Sequence, residues 1–206
     1  MKPAAAPITR YRGNSIERNM QNYKNFLSEI LIDERTLQAR IVELAAEINR
    51  DYAEVQEPLV LICILRGGMV FLVDLMRHLD VLHQIDFMAI SSYGRGTRES
   101  HGNIRLTLDL QSDIRDKHIL LVEDIIDSGN TISYVLEFLQ TRQPKSLKVC
   151  ALLDKQERRE AVVPIHYRGF AIPNKYVFGY GLDLDEYYRN LPFIGVVDLE
   201  KYQPPG

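Results

Sequence analysis

Seven consecutive apolar residues, Leu59-Val-Leu-Ile-Cys-Ile-Leu65, lie between Pro58 and the breaker Arg66-Gly67-Gly68. A run of ~4–8 such residues suits a strand buried on both faces, since a half-exposed strand would carry a polar residue at every second position. A doubly buried strand needs cover above and below. Helices packed on both sides of a mostly parallel sheet supply it. The rest of the chain offers the parts. Asp33 is placed to cap a helix whose apolar positions Leu37, Ile41, Leu44, Ala45 and Ile48 recur at helical spacing. Residues 69–79 and 131–141 read as further helices, residues 85–90, 118–122 and 147–153 as strands, and residues 104–110 as a half-buried strand. Residues 1 to about 30 lack a clean period, and the first ten look frayed. The expected fold class is α/β, a mostly parallel twisted sheet flanked by helices. Such sheets bind ligands at the carboxyl ends of their strands, which singles out the loops after Leu65, Val122 and Leu153.

At 206 residues the chain fits one domain with a sizeable core. Its net charge of −3 argues against a nucleic-acid binder that works through a basic surface. No run approaches the ~20 apolar residues of a membrane span, and the N-terminus has no signal-like apolar stretch. Cys63 and Cys150 sit inside apolar segments, as inert core thiols would, and a reducing cytoplasm is expected. The five histidines lack metal-ligand spacing, so no zinc site is assigned.

The richest chemistry lies in Val122-Glu123-Asp124-Ile125-Ile126-Asp127-Ser128-Gly129-Asn130-Thr131. A hydrophobic strand delivers two carboxylates, then a third, then a small hydroxyl- and glycine-bearing turn that opens a helix. Gly129 lets backbone approach a ligand, Ser128 and Thr131 offer hydroxyls, and the first amides of the helix complete an anion cradle. One phosphate monoester fits there. The acids need a different partner, and a vicinal diol supplies two hydroxyl donors for Glu123 and Asp124. Adjacent strand residues face opposite sides, so this pair can grip a single ion only if the strand is ending there. A sugar phosphate satisfies both halves.

This segment resembles the phosphoribosyl pyrophosphate motif of type I phosphoribosyltransferases, in the version of the hypoxanthine–guanine members. The likeness extends from about Leu59 to Val197. It implies a single domain over 1–206, with a small hood drawn from the N- and C-terminal segments and a flexible lid headed by Ser92-Tyr93. It places phosphoribosyl binding on Glu123, Asp124, Ile125 and Asp127 to Thr131, and pyrophosphate on Arg66, Gly67 and Arg189. A cis peptide is implied between Arg66 and Gly67. Lys155, Tyr176, Val177 and Asp183 fall at base-pocket positions, with tyrosine at 176 where relatives usually carry phenylalanine. A donor-only ammonium at Lys155 favours a 6-oxopurine over adenine, while the rest of the charge run 154–160 reads as a solvated face. Aromatic neighbours such as Phe178 and Tyr180 read as core. The resemblance further implies Mg2+ at Glu123, Asp124 and Asp183, Asp127 as general base, and a homodimer or homotetramer. The expected activity is purine salvage, transferring 5-phosphoribosyl from phosphoribosyl pyrophosphate to hypoxanthine and guanine. A xanthine- or guanine-preferring enzyme and a phosphoribosyl-pyrophosphate-sensing regulator are the alternatives.

Overall fold

The computed structural model describes residues 22–92 and 104–204. The apolar run becomes β2 (Leu59–Leu65), buried along its length except at Leu65. It lies inside a six-stranded sheet ordered β4 (Ile104–Leu108), β3 (His83–Ser92), β2, β5 (His118–Ile126), β6 (Ser146–Asp154) and β7 (Tyr167–Ala171). Only β4 runs antiparallel to its neighbour. Helices α1 (Glu34–Asp51) and α2 (Met69–Met76) pack on one face, and α3 (Asn130–Gln140) on the other. The Asp33 carboxylate accepts the Thr36 amide at 2.7 Å, and α1 buries the five apolar residues named from the sequence. Each large aliphatic side chain so buried contributes roughly 2 kcal/mol.

A second, three-stranded antiparallel sheet joins β1 (Leu27–Ile32), β9 (Ile194–Val197) and β8 (Val177–Phe178). Its aromatic core includes Phe26, Phe178, Tyr188 and Phe193. Chain from both ends of the molecule therefore meets in one small layer.

Several boundaries differ from the sequence reading. The helix expected over 69–79 ends at Met76, where His78 and Leu79 donate backwards by three residues to Leu75 and Met76 and tighten the last turn. Strand β5 continues past Val122 to Ile126 and carries both acids within it. The cis peptide lies between Leu65 and Arg66, one bond earlier than expected. What requires glycine at 67 is a contact: a Cβ there would stand 1.8 Å from Asp124 Oδ2. The frayed N-terminal residues and the lid residue Tyr93 lie outside the described residues. No helix among the described residues is long and apolar enough to cross a membrane.

Candidate active site

Neighbouring strands β2 and β5 send their helices to opposite faces, and the chain parts at their carboxyl ends. A crevice forms at such a switch point. The loop after β5 turns through Gly129 at φ +86, a left-handed conformation that favours glycine. Among the described residues no side chain caps α3 from Gly129; the Asn130 amide leans on Ser128 Oγ at 3.4 Å, and the amides that follow it are available to an anion. The turn is held from behind. Ser128 C=O accepts from the amides of Glu160 (2.9 Å) and Ala161 (3.0 Å), and Asn130 Nδ2 donates to Glu160 at 2.6 Å. A cleft of about 180 Å³ opens here, lined by Glu123, Ile125, Asp127, Ser128 and Thr131 among others.

Glu123 and Asp124 are both buried, and strand alternation sends them to opposite faces. Glu123 faces the phosphate-loop cleft, with Oε1 lacking a hydrogen-bond partner among the described residues. Burial, then the neighbouring Asp124 charge, pushes its carboxyl well above the usual range. Asp124 turns toward Gly67. Burial raises its carboxyl to about 6, against the Ile125 amide at 2.9 Å and the Arg189 charge, which favour ionisation. The two acids therefore do not share one ion as they stand. Both are poised to gain from a ligand that brings donors or cations.

That arrangement has a measurable cost. An acid whose folded pKa is raised holds its proton after the unfolded chain has lost it, so stability falls as pH rises toward the folded value. Glu123→Gln is expected to raise the melting temperature of ligand-free protein in chelator by a few degrees at pH 8, since ~1 kcal/mol moves it roughly 2–4 °C in chains of this length. The gain should shrink toward pH 5. An unchanged or lower melting temperature at pH 8 would contradict this.

Asp127 sits between two cations. Lys155 Nζ lies 3.6 Å from Oδ2 and Arg158 Nε 3.4 Å from Oδ1, an atom that is buried with no hydrogen bond among the described residues. Lys155 itself is buried, its amide bonded to Ile126 C=O at 3.0 Å. The buried Asp154 before it is clamped by Arg159 and by Arg168 at 3.3 Å. Within the charge run 154–160, Asp154 and Lys155 are buried and Arg159 partly so, while Gln156, Glu157, Arg158 and Glu160 are exposed as a solvated face would be. Asp154 fixes the strand end, Arg158 faces Asp127 and Glu160 props the phosphate turn. These contacts depend on chain distant in sequence, and no local pattern marks them.

Across the crevice, Arg189 donates to Gly181 C=O (2.9 Å) and pairs with Asp183 (2.9 Å) and Glu186 (3.1 Å). Arg66 reaches the same Glu186 oxygen at 2.6 Å. Arg66, Gly67, Asp124, Asp183 and Arg189 therefore come together, with Glu186 a member the sequence reading missed. Val197 N–H donates to Tyr176 C=O at 3.0 Å, so Val177 and Val196 form a non-hydrogen-bonded pair. The Val177 N–H and C=O consequently point outward from the edge of the small sheet. Tyr176 is exposed beside them, whereas Phe178 and Tyr180 are buried. Ser92 ends β3.

Among the described residues, no group of three or more His, Cys, Asp or Glu side chains could hold a metal ion. The carboxylates present are hard oxygen donors of the kind magnesium takes one or two at a time, completing its shell with water and phosphate oxygens. Asp183 is only partly buried, and its charge acts on Asp124 across the crevice. The donor set fits such an ion held jointly with a ligand.

Residues 28–186 match the family described as phosphoribosyl transferase domain. The hypoxanthine phosphoribosyltransferase of Escherichia coli strain K12 is 48% identical over 171 residues, covering 83% of this chain and 96% of its own. The hypoxanthine-guanine phosphoribosyltransferase of Mycobacterium avium is 46% identical over 185 residues, 88% of this chain and 91% of its own. A crystal structure of a hypoxanthine phosphoribosyltransferase from Staphylococcus aureus superposes with a TM-score of 0.83 at 42% identity, covering 88% of this chain and 97% of that one.

Proposed function

The chain belongs to the phosphoribosyltransferase family, and we propose from that membership that it is a purine salvage enzyme. It transfers 5-phosphoribosyl from phosphoribosyl pyrophosphate to hypoxanthine and guanine, forming IMP or GMP and diphosphate. The observation that carries the reading is the continuity of the uncapped α3 amides with Glu123, Asp124 and Asp127, beside the donor-only Lys155. Each group has one part of the substrate to meet.

The 5′-phosphate sits on the amides and hydroxyls of residues 128–131, and the ribose hydroxyls donate to Glu123 and Asp124. Arg66, Arg189 and the Gly67 backbone receive the diphosphate. Lys155 donates to the purine 6-oxo group, and the outward N–H and C=O of Val177 meet the base edge beside the Tyr176 ring. A purine ring nitrogen then displaces diphosphate from the anomeric carbon, and Asp127 accepts the proton that the base sheds. Asp183 and Asp124 are the groups that would hold magnesium, which when bound neutralises charge on the leaving diphosphate. A lid headed by Ser92-Tyr93 excludes water in this reading. Self-association as a homodimer or homotetramer belongs to it too, supported by the exposed apolar side chains Met69, Val73, Leu82 and Ile85. The two buried thiols suit a reducing cytoplasm.

The decisive assay offers hypoxanthine, guanine, xanthine and adenine with phosphoribosyl pyrophosphate, with and without magnesium. Turnover is expected with hypoxanthine and guanine and only with the metal; diphosphate release with adenine but not hypoxanthine overturns the assignment. Lys155→Ala is expected to raise the KM for hypoxanthine at least roughly tenfold, the scale of one charge-assisted hydrogen bond. Steady-state kinetics in both substrates check it. An unchanged hypoxanthine KM removes Lys155 from base recognition.

A further inference from the structure

One carboxylate already occupies the seat assigned above to diphosphate. Glu186 Oε2 lies 2.6 Å from Arg66 Nη1 and 3.1 Å from Arg189 Nη2, so two guanidinium groups share a single anionic oxygen. The two arginines come from loops far apart in sequence, Arg66 standing 120 residues before Glu186 and Arg189 three after it.

The backbone beneath Glu186 is fixed while its side chain is free to leave. Leu184 and Tyr187 exchange both amide hydrogen bonds at 3.1 Å, and the two residues between them, Asp185 (φ 50) and Glu186 (φ 71), are left-handed. Turns of that kind usually hold asparagine and glycine at these places. Here the Glu186 amide is bound by Asp183 Oδ2 at 2.9 Å, and Asp185 accepts from Tyr202 Oη at 2.9 Å. The Glu186 side chain is 64% exposed and that of Arg66 71%. Exposed ion pairs are weak and readily exchanged.

We propose that Glu186 is a positioning residue: it holds Arg66 and Arg189 together in the ligand-free protein and is displaced from them by the diphosphate group. The inference rests on the transferase reading of this crevice. Any ligand that takes the arginines must first break their contacts with Glu186, so those contacts lower the affinity for phosphoribosyl pyrophosphate and for released diphosphate alike. The purine meets neither arginine, and its binding is outside the competition.

The test is titration calorimetry of inorganic diphosphate, with magnesium, onto the intact protein. Glu186→Gln is compared with wild type and with Glu54→Gln, an exposed carboxylate in the turn after α1 that controls for net charge. Glu186→Gln should tighten diphosphate roughly three- to tenfold, the range that two exposed ion pairs sustain, and the gain should shrink as salt is raised. Glu54→Gln should bind as wild type does. In steady state the KM for phosphoribosyl pyrophosphate should fall while that for hypoxanthine stays. Glu186→Asp, one methylene shorter but still charged, should lie between, which keeps the test open if the glutamine variant disturbs the turn. Equal or weaker diphosphate binding by Glu186→Gln, or an equal gain in Glu54→Gln, overturns the displacement. Absence of diphosphate binding by every protein overturns the transferase reading along with it.

Discussion

Replacing Asp127 by asparagine is expected to lower kcat about 10²- to 10⁴-fold, the usual contribution of a positioned general base, with the KM for phosphoribosyl pyrophosphate within a few-fold of wild type. The substitution keeps the shape of the side chain and removes its negative charge and its capacity to accept a proton. Lys155 Nζ lies 3.6 Å from Oδ2 and Arg158 Nε 3.4 Å from Oδ1, so the carboxylate is held in place from both sides. Asparagine would present an amide to the same two cations and lose both ion pairs. Some loss of order around Lys155 should follow, so a rise in the KM for hypoxanthine is expected to accompany the fall in kcat. Single-turnover kinetics with saturating substrates separate the two effects. Full activity in this variant would remove Asp127 from the mechanism.

Gly67→Ala should be nearly as damaging by a different route. The added methyl would stand 1.8 Å from Asp124 Oδ2 and 2.8 Å from Cγ, distances that real Cβ atoms do not tolerate. Asp124 cannot swing aside freely, because it is buried and its Oδ1 is bound to the Ile125 amide at 2.9 Å. Either the carboxylate or the loop must move. Overpacking of this sort costs typically 1–3 kcal/mol of stability, and displacement of a positioning group by about 1 Å can cost some 10²-fold in rate. A lower melting temperature together with a loss of about 10²-fold in kcat/KM is expected. Wild-type values of both would show that the loop and Asp124 are not packed as described.

The legible parts of this fold are those whose burial is dictated locally. Strand β2 and helix α1 announce themselves because seven apolar residues in a row, or five at helical spacing, have no stable exposed arrangement. Strand β1 gives no such signal. Its pairing with β9 contains two register irregularities, and the exposed residues 28–30 break any alternation. Strand β8 is two residues long and gains its partner from chain near residue 195. In the site, the acidic strand end and the glycine turn were readable because each residue type has a chemical reason to stand at its position. Arg158, Asp154 and Glu160 were not, since a charged run is indistinguishable from a solvated face until β5 and β7 are laid beside it. Glu186 was hidden for the same reason: its partners lie in other loops. The displaced cis peptide shows the limit of reasoning by likeness, for the glycine at 67 answers to Asp124 rather than to the bond before it.

The most direct test of the whole account is a crystal structure of the protein with a 5′-purine ribonucleotide such as IMP. The phosphate should lie against the amides of residues 128–131, with the ribose hydroxyls reaching Glu123 and Asp124 and the 6-oxo group within hydrogen-bonding distance of Lys155. A nucleotide bound with its phosphate anywhere other than the mouth of α3 would contradict it.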